Sequence, residues 1–145
     1  MNIMIREATL SDAEAISHLS SSALGYLYPV SDVTNKLHAV LTRPQDRVYV
    51  AVFGSLVVGY IHANIYDLLY APTMVNIMGL AVSADYRRIG IGKALMEAAE
   101  TWARSIGCQS IRLNSGGTRR EAHLFYRSCG FCDEKEQLRF IKELL

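Results

Sequence analysis

Arg87, Gly90 and Gly92 stand as Arg-x-x-Gly-x-Gly between an apolar run, residues 75–82, and a long amphipathic stretch, residues 93–106. Glycines between a strand and a helix let the backbone approach a ligand closely, because no Cβ intervenes. The first amides of the helix lack intrahelical partners and lie at the positive end of its dipole. Such a turn suits a phosphate or pyrophosphate. Two common nucleotide loops are disfavoured. A nucleotide P-loop needs Ser or Thr after its Lys, but Ala94 follows Lys93. A Rossmann fingerprint needs a third glycine where this chain has Leu95.

Cysteine chemistry is weaker. Cys129 and Cys132 have CxxC spacing, but zinc would need two further ligands, and no second CxxC or suitably spaced His pair exists. A redox CxxC opens a helix after a strand, whereas this one closes a helical pattern. With Cys108 they read as ordinary reduced thiols.

Elements must hold these residues in place. Residues 3–8 alternate like a short strand. Thr9, Ser11 and Asp12 offer caps for a helix over 13–19, and 33–41 reads as a second helix halted near Pro44. Residues 47–53 and 56–65 are β-branched and aromatic runs joined by Gly54-Ser55, a hairpin signal. A loop over 66–73 leads to a fully apolar strand, 74–82, expected to be central and buried on both faces. After the glycine turn, Ile91, Leu95, Ala98, Trp102 and Ile106 recur at helical spacing, and Gly107 stops the helix. A short strand (110–113), a helix (119–128) and final strands at Phe131 and 137–142 complete the pattern. It contains no repeat or linker and reads as one domain over all 145 residues.

Composition narrows the function classes. Half the residues are apolar, and the net charge of +1 gives no bulk field for nucleic acid or an anionic membrane. The most apolar stretch, 48–61, falls short of the roughly 20 residues a bilayer span needs. No secretory signal is visible, so the expected location is cytoplasmic.

The Arg87–Gly92 loop resembles the pyrophosphate loop of the GNAT superfamily of N-acetyltransferases, which bind acetyl-CoA. Glu121-Ala122-His123-Leu124-Phe125-Tyr126-Arg127-Ser128-Cys129-Gly130-Phe131 is similar to that family's C-terminal signature. Within the superfamily, the C-terminal half resembles small-molecule members, including aminoalkylphosphonate N-acetyltransferases. The resemblance implies an α+β fold: a central mixed, mostly antiparallel sheet with a splayed parallel strand pair, flanked by helices. It also implies that Leu80, Ala81 and Val82 pair with the pantetheine arm. Arg87, Arg88, Ile89, Gly90, Ile91, Gly92 and Lys93 would hold the pyrophosphate. Asn114, His123 and Tyr126 would border the cofactor.

By the same resemblance Tyr126 is the general acid that protonates the leaving thiolate, as a phenol with a pKa near ~10 can. The base is open. Many relatives carry Glu on the splayed strand, where this chain has Gly79. Others carry it at the end of the next strand, where this chain has Asn114. His62, Asp67 and an ordered-water route are the candidates, with His62 and Asn114 grouped with Tyr126 as catalytic. The acceptor region would draw on Tyr26, Tyr28, Tyr66, Asp67, Tyr70 and Asn76. The tyrosines serve either as aromatic walls for a small-molecule amine or as a homodimer contact. No metal is called for. The alternatives are a protein or peptide N-acetyltransferase and a non-catalytic acyl-CoA-binding module.

Overall fold

In the computed structural model, which describes residues 2–145, the alternating apolar segments build one five-stranded sheet. Its strands are β1 (Ile3–Glu7), β2 (Asp46–Phe53), β3 (Leu56–Tyr66), β4 (Met74–Val82) and β5 (Ile111–Leu113), in that spatial order. The first three junctions are antiparallel, and β4–β5 is parallel. Helices α1 (Ala13–Leu24) and α2 (Val30–Leu41) precede β2. Helix α3 (Ile91–Ser105) makes the crossover that a parallel pair requires, and α4 (Arg120–Ser128) follows β5. The chain divides into two compact units, Met1–Leu113 and Asn114–Leu145.

The first unit has three layers. Alternation along the strands sends Val48, Val50 and Tyr60 into a core with Ile16, Leu19, Leu37 and Val40 of α1 and α2. The opposite face receives α3, whose Leu95 and Met96 are fully buried. The Arg47 guanidinium lies 5.3 Å from the centre of the Trp102 ring and ties α3 to β2. Gly59 permits the close approach of α3. A Cβ there would sit 3.1 Å from the Ala81 carbonyl oxygen and 3.1 Å from Leu95 Cδ1.

At the start of α1 the Asp12 carboxylate accepts hydrogen bonds from the Thr9 amide at 2.8 Å and from the Arg6 guanidinium at 2.8 and 2.9 Å. The Arg6 hydrogen bonds hold the Asp12 carboxyl below its usual range, against the opposing effect of burial.

Three expectations need correction. Strand β4 is not buried on both faces: Val75, Ile77 and Ala81 are buried, but Met78 is 57% exposed. The register slips between the pairs His62↔Gly79 and Ala63↔Ile77, so Met78 is an extra, bulged residue. Phe131 and residues 137–142 form no strand among the described residues, and Leu138 and Phe140 are exposed. A local apolar pattern supplies no ladder partner. Both early helices are longer than their apolar periodicity suggested. Helix α1 runs to a left-handed Gly25 cap, and α2 opens directly after Pro29.

Candidate active site

The glycine turn lies where the motif predicted it. Gly90 caps α3 in the left-handed region at φ 90°, which its missing Cβ allows. Arg88 also has positive φ, 64°, a conformation uncommon outside glycine. Arg87 to Gly90 are exposed, and the Arg87 Nε donates to the Val82 carbonyl at 3.4 Å. The turn therefore presents two arginines and the free amides at the start of α3.

Upstream, β4 and β5 pair at three positions only, Val75↔Ile111, Asn76↔Arg112 and Ile77↔Leu113. From Met78 to Val82, β4 is paired to β3 alone within the first unit. Within the first unit its other edge has no strand partner among the described residues as it runs toward the glycine turn, the kind of edge an extended ligand can join. Leu80, Ala81 and Val82 lie on this stretch. The edge, the left-handed Gly90 and the two arginines fit a long phosphorylated amide such as acetyl-CoA.

Opposite the start of that edge stands His62, paired in register with Gly79. Its Nε2 donates to the Asp46 carboxylate at 2.8 Å, since a carboxylate oxygen can only accept. Asp46 is 7% exposed and also has Arg43 at 4.0 Å. Asp46 was not among the predicted residues. Its link to His62 depends on the β2–β3 register, which local sequence does not reveal. Gly79 leaves room on the same face. The Tyr60 hydroxyl, hydrogen-bonded to Ser20 at 2.7 Å, lies 3.6 Å from where a Cβ at position 79 would be. Burial pushes the Tyr60 phenol pKa up.

Beyond His62 the same sheet face becomes polar. Asn76 Nδ2 donates to Asn64 Oδ1 at 3.4 Å and to Met78 Sδ at 3.0 Å. Arg112 Nη1 donates to Asn76 Oδ1, and its guanidinium lies 4.3 Å from the centre of the Tyr66 ring. Asn64 and Arg112 were also missed in the sequence. Their signal was a polar residue at every second position of otherwise apolar strands: His62 and Asn64 in β3, then Asn76 in β4.

The other predicted acceptor residues are not gathered here. Asp67 is exposed and accepts from Thr73 Oγ1 at 2.8 Å. Tyr26 and Tyr70 are 68% and 86% exposed, and Tyr28 lines an open groove with Glu14 and His18.

In the second unit, Tyr126 packs edge-on against Phe125 and Phe131, with ring centres 5.5 and 5.9 Å apart. Burial is the main cause that pushes its phenol pKa above the ordinary value; Arg119 opposes the shift and Cys129 adds to it. His123 pairs through Nε2 with the Gly116 carbonyl at 2.9 Å, tying α4 to the loop that begins at Asn114. Among the described residues no group of three or more His, Cys, Asp or Glu side chains could hold a metal ion. No helix among them is long and apolar enough to cross a membrane.

A mixed sheet with a parting parallel pair, and a glycine turn at the end of its free edge, defines a frame for acyl transfer from a coenzyme A thioester. Residues 13–131 match the acetyltransferase (GNAT) family model, and the chain belongs to that family of acetyl-CoA-dependent N-acetyltransferases. Over 143 residues it is 27% identical to aminoglycoside N(6')-acetyltransferase type 1 of Stenotrophomonas maltophilia, covering 95% of this chain and 91% of the relative. It is 28% identical to the aminoalkylphosphonate N-acetyltransferase of Salmonella typhimurium over 97% of this chain and 90% of the relative. The fold is shared with an aminoglycoside N-acetyltransferase solved in complex with CoA: TM-score 0.86, 18% identity, 98% and 95% of the two chains covered.

Proposed function

We propose that the chain acetylates the primary amine of a small molecule by direct attack, with His62 as general base and Tyr126 as general acid. The observation that carries this is the free edge of β4, which begins at the level of the Asp46-held His62 and ends at the glycine turn. Acetyl-CoA supplies the acetyl thioester. Leu80, Ala81 and Val82 would hold its amides, and the 87–93 turn its pyrophosphate. The acceptor must lose a proton before its nitrogen can attack. Nδ1 of His62 takes that proton, because Asp46 engages Nε2 and fixes the tautomer. Tyr126 gives its phenolic proton to the departing sulfur. Its raised pKa keeps that proton in place across the physiological range.

His123 orders the loop at Asn114 and so shapes the cofactor border. Three cysteines, Cys108, Cys129 and Cys132, make no disulfide framework, which supports a cytoplasmic setting. The exposed Leu138, Phe140 and Ile141 support a homodimer.

Replacing Tyr126 with Phe tests the acid. Loss of general acid catalysis should lower kcat by about 10²-fold or more. Acetyl-CoA affinity by calorimetry should not change. Wild-type kcat should also hold on the alkaline side until pH passes the ordinary phenol value near ~10, and that limb should vanish in Tyr126→Phe. Unchanged turnover in the variant would remove Tyr126 from the chemistry.

A further inference from the structure

The direction of one hydrogen bond decides what the Tyr60 hydroxyl can offer a ligand. We infer that Tyr60 accepts an N–H of the acceptor amine in the space left by Gly79, and so positions the nitrogen beside His62. This rests on the reading of the chain as an acetyltransferase with His62 as base, and it adds an acceptor-binding residue and the place the amine occupies.

Hydroxyl chemistry fixes the direction. Ser20 Oγ donates to the Ile16 carbonyl at 2.8 Å, and its other partner is the Tyr60 hydroxyl at 2.7 Å. A serine hydroxyl carries one proton, and a carbonyl oxygen only accepts. Ser20 therefore spends its proton on Ile16 and accepts from Tyr60. Tyr60 in turn spends its proton on Ser20, and its oxygen is left with acceptor capacity. Burial is the main cause that pushes the Tyr60 phenol pKa up; the Ser20 bond opposes the shift and Tyr26 adds to it. The phenol thus keeps its proton, and the chain of bonds keeps its direction.

Register gives that oxygen an open neighbour. Tyr60 and His62 alternate onto the same face of β3, and His62 pairs with Gly79 of β4. Its chain neighbours aside, a Cβ at position 79 would meet only Tyr60 in the first unit, with Oη at 3.6 Å and Cε2 at 3.9 Å. A longer side chain there would fill the space beside the hydroxyl. Glycine leaves that space open, opposite His62 and at the level where the proposed cofactor edge of β4 begins.

Hydrogen-bond polarity selects the occupant. The Tyr60 oxygen accepts, and behind His62 stands the buried Asp46 carboxylate at 2.8 Å. An acceptor and a nearby negative charge favour a cationic donor. A primary ammonium has N–H groups for both residues: it gives one to His62 as a proton and keeps another on Tyr60. An alcohol has a single hydrogen and satisfies only one of them. The place therefore favours nitrogen over oxygen as the nucleophile.

The test measures thiol release from acetyl-CoA with 3-aminopropanol, β-alanine and spermidine, whose charges differ away from the reacting amine. Wild type is compared with Tyr60→Phe, Ser20→Ala and Gly79→Ala, with thermal unfolding of each. One hydrogen bond to a charged group is worth about tenfold or more. Tyr60→Phe should lower the acceptor kcat/KM by that factor and leave the KM for acetyl-CoA unchanged. Ser20→Ala releases the Tyr60 proton toward the amine, so it should lower the same parameter although Tyr60 is intact. The double variant should be no worse than Tyr60→Phe alone. Gly79 is not in the left-handed region, and a methyl there makes ordinary contact with Tyr60. Gly79→Ala should therefore hold its Tm while the acceptor kcat/KM falls about tenfold or more.

Gly79→Ala leaves the Tyr60–Ser20 bond in place, so a destabilised Tyr60→Phe does not shelter the proposal. Wild-type acceptor kcat/KM in folded Gly79→Ala or folded Tyr60→Phe would overturn the inference and leave the acetyltransferase reading standing. If wild type turns over none of the three amines, the carbon-13 Cζ resonance of Tyr60, assigned by its loss in Tyr60→Phe, decides in the CoA-saturated protein. A shift on adding these amines that Gly79→Ala abolishes supports the amine place while removing the catalytic reading. No shift, or one that Gly79→Ala keeps, overturns the inference.

Discussion

His62 and Asp46 lie sixteen positions apart in sequence, yet a 2.8 Å bond joins them because the hairpin β2–β3 places their side chains on one face. A general base held by a buried carboxylate can be tested apart from one that merely packs. His62→Gln should lower kcat by about 10²-fold or more with little change in the KM for acetyl-CoA. Asp46→Asn should lower kcat less, and Asp46→Glu should recover part of the loss, since it restores an acceptor for Nε2–H. The measurement is steady-state kinetics on all three variants, with thermal unfolding as the check on folding. Equal losses in kcat and in cofactor affinity would mean that the pair only supports the strand. At this scale the sequence was partly legible. His62, Asn76 and Tyr126 stood out by type and setting, whereas Asp46, Asn64 and Arg112 acquire meaning only through strand register. That pairing spans 16 residues for Asp46 and 36 for Arg112.

Helix α3 is aimed by its packing on the sheet. In the proposed site its first turn would supply the amides for the phosphates, so its seat against β3 would matter to binding as well as to stability. A methyl at position 59 would meet the Ala81 carbonyl oxygen at 3.1 Å and Ile91 Cγ2 at 3.3 Å, and Ile91 is the first residue of α3. Gly59→Ala should cost about 1–3 kcal/mol by overpacking. It should also raise the KM for acetyl-CoA more than that for the acceptor, which denaturant unfolding and two-substrate kinetics would show together. A destabilised variant with wild-type cofactor KM would mean that α3 yields without moving the turn.

Elements were the most legible scale. The span of β4, the Gly54-Ser55 turn and the α3 stripe follow from local periodicity and turn chemistry. The bulge at Met78 does not: one extra residue changes which side chains share a face, and nothing in the run around it marks the slip.

At the scale of the molecule, the glycine turn proposed for the phosphates and the His62 pair belong to Met1–Leu113, while Tyr126 belongs to Asn114–Leu145. Binding and proton donation can therefore be separated experimentally. A ligand that binds only the folded state stabilises it by about 2.7 kcal/mol at a hundredfold excess over Kd. In a chain of this size each kcal/mol moves the midpoint by roughly 2–4 °C, so CoA should raise Tm by about 5–10 °C. Gly92→Val places a branched side chain at the second position of α3, where a bound pyrophosphate would lie against the backbone. That variant should lose most of the shift while its ligand-free Tm stays within about 2–4 °C of wild type, a change of roughly one kcal/mol or less. Tyr126→Phe should keep the full shift, because in the proposed mechanism the phenol acts on the departing sulfur and not on the phosphates. Scanning calorimetry of the three proteins with and without CoA is the measurement. A folded Gly92→Val that retains the whole shift would move the cofactor away from the glycine turn. Loss of the shift in Tyr126→Phe would make the tyrosine a binding residue.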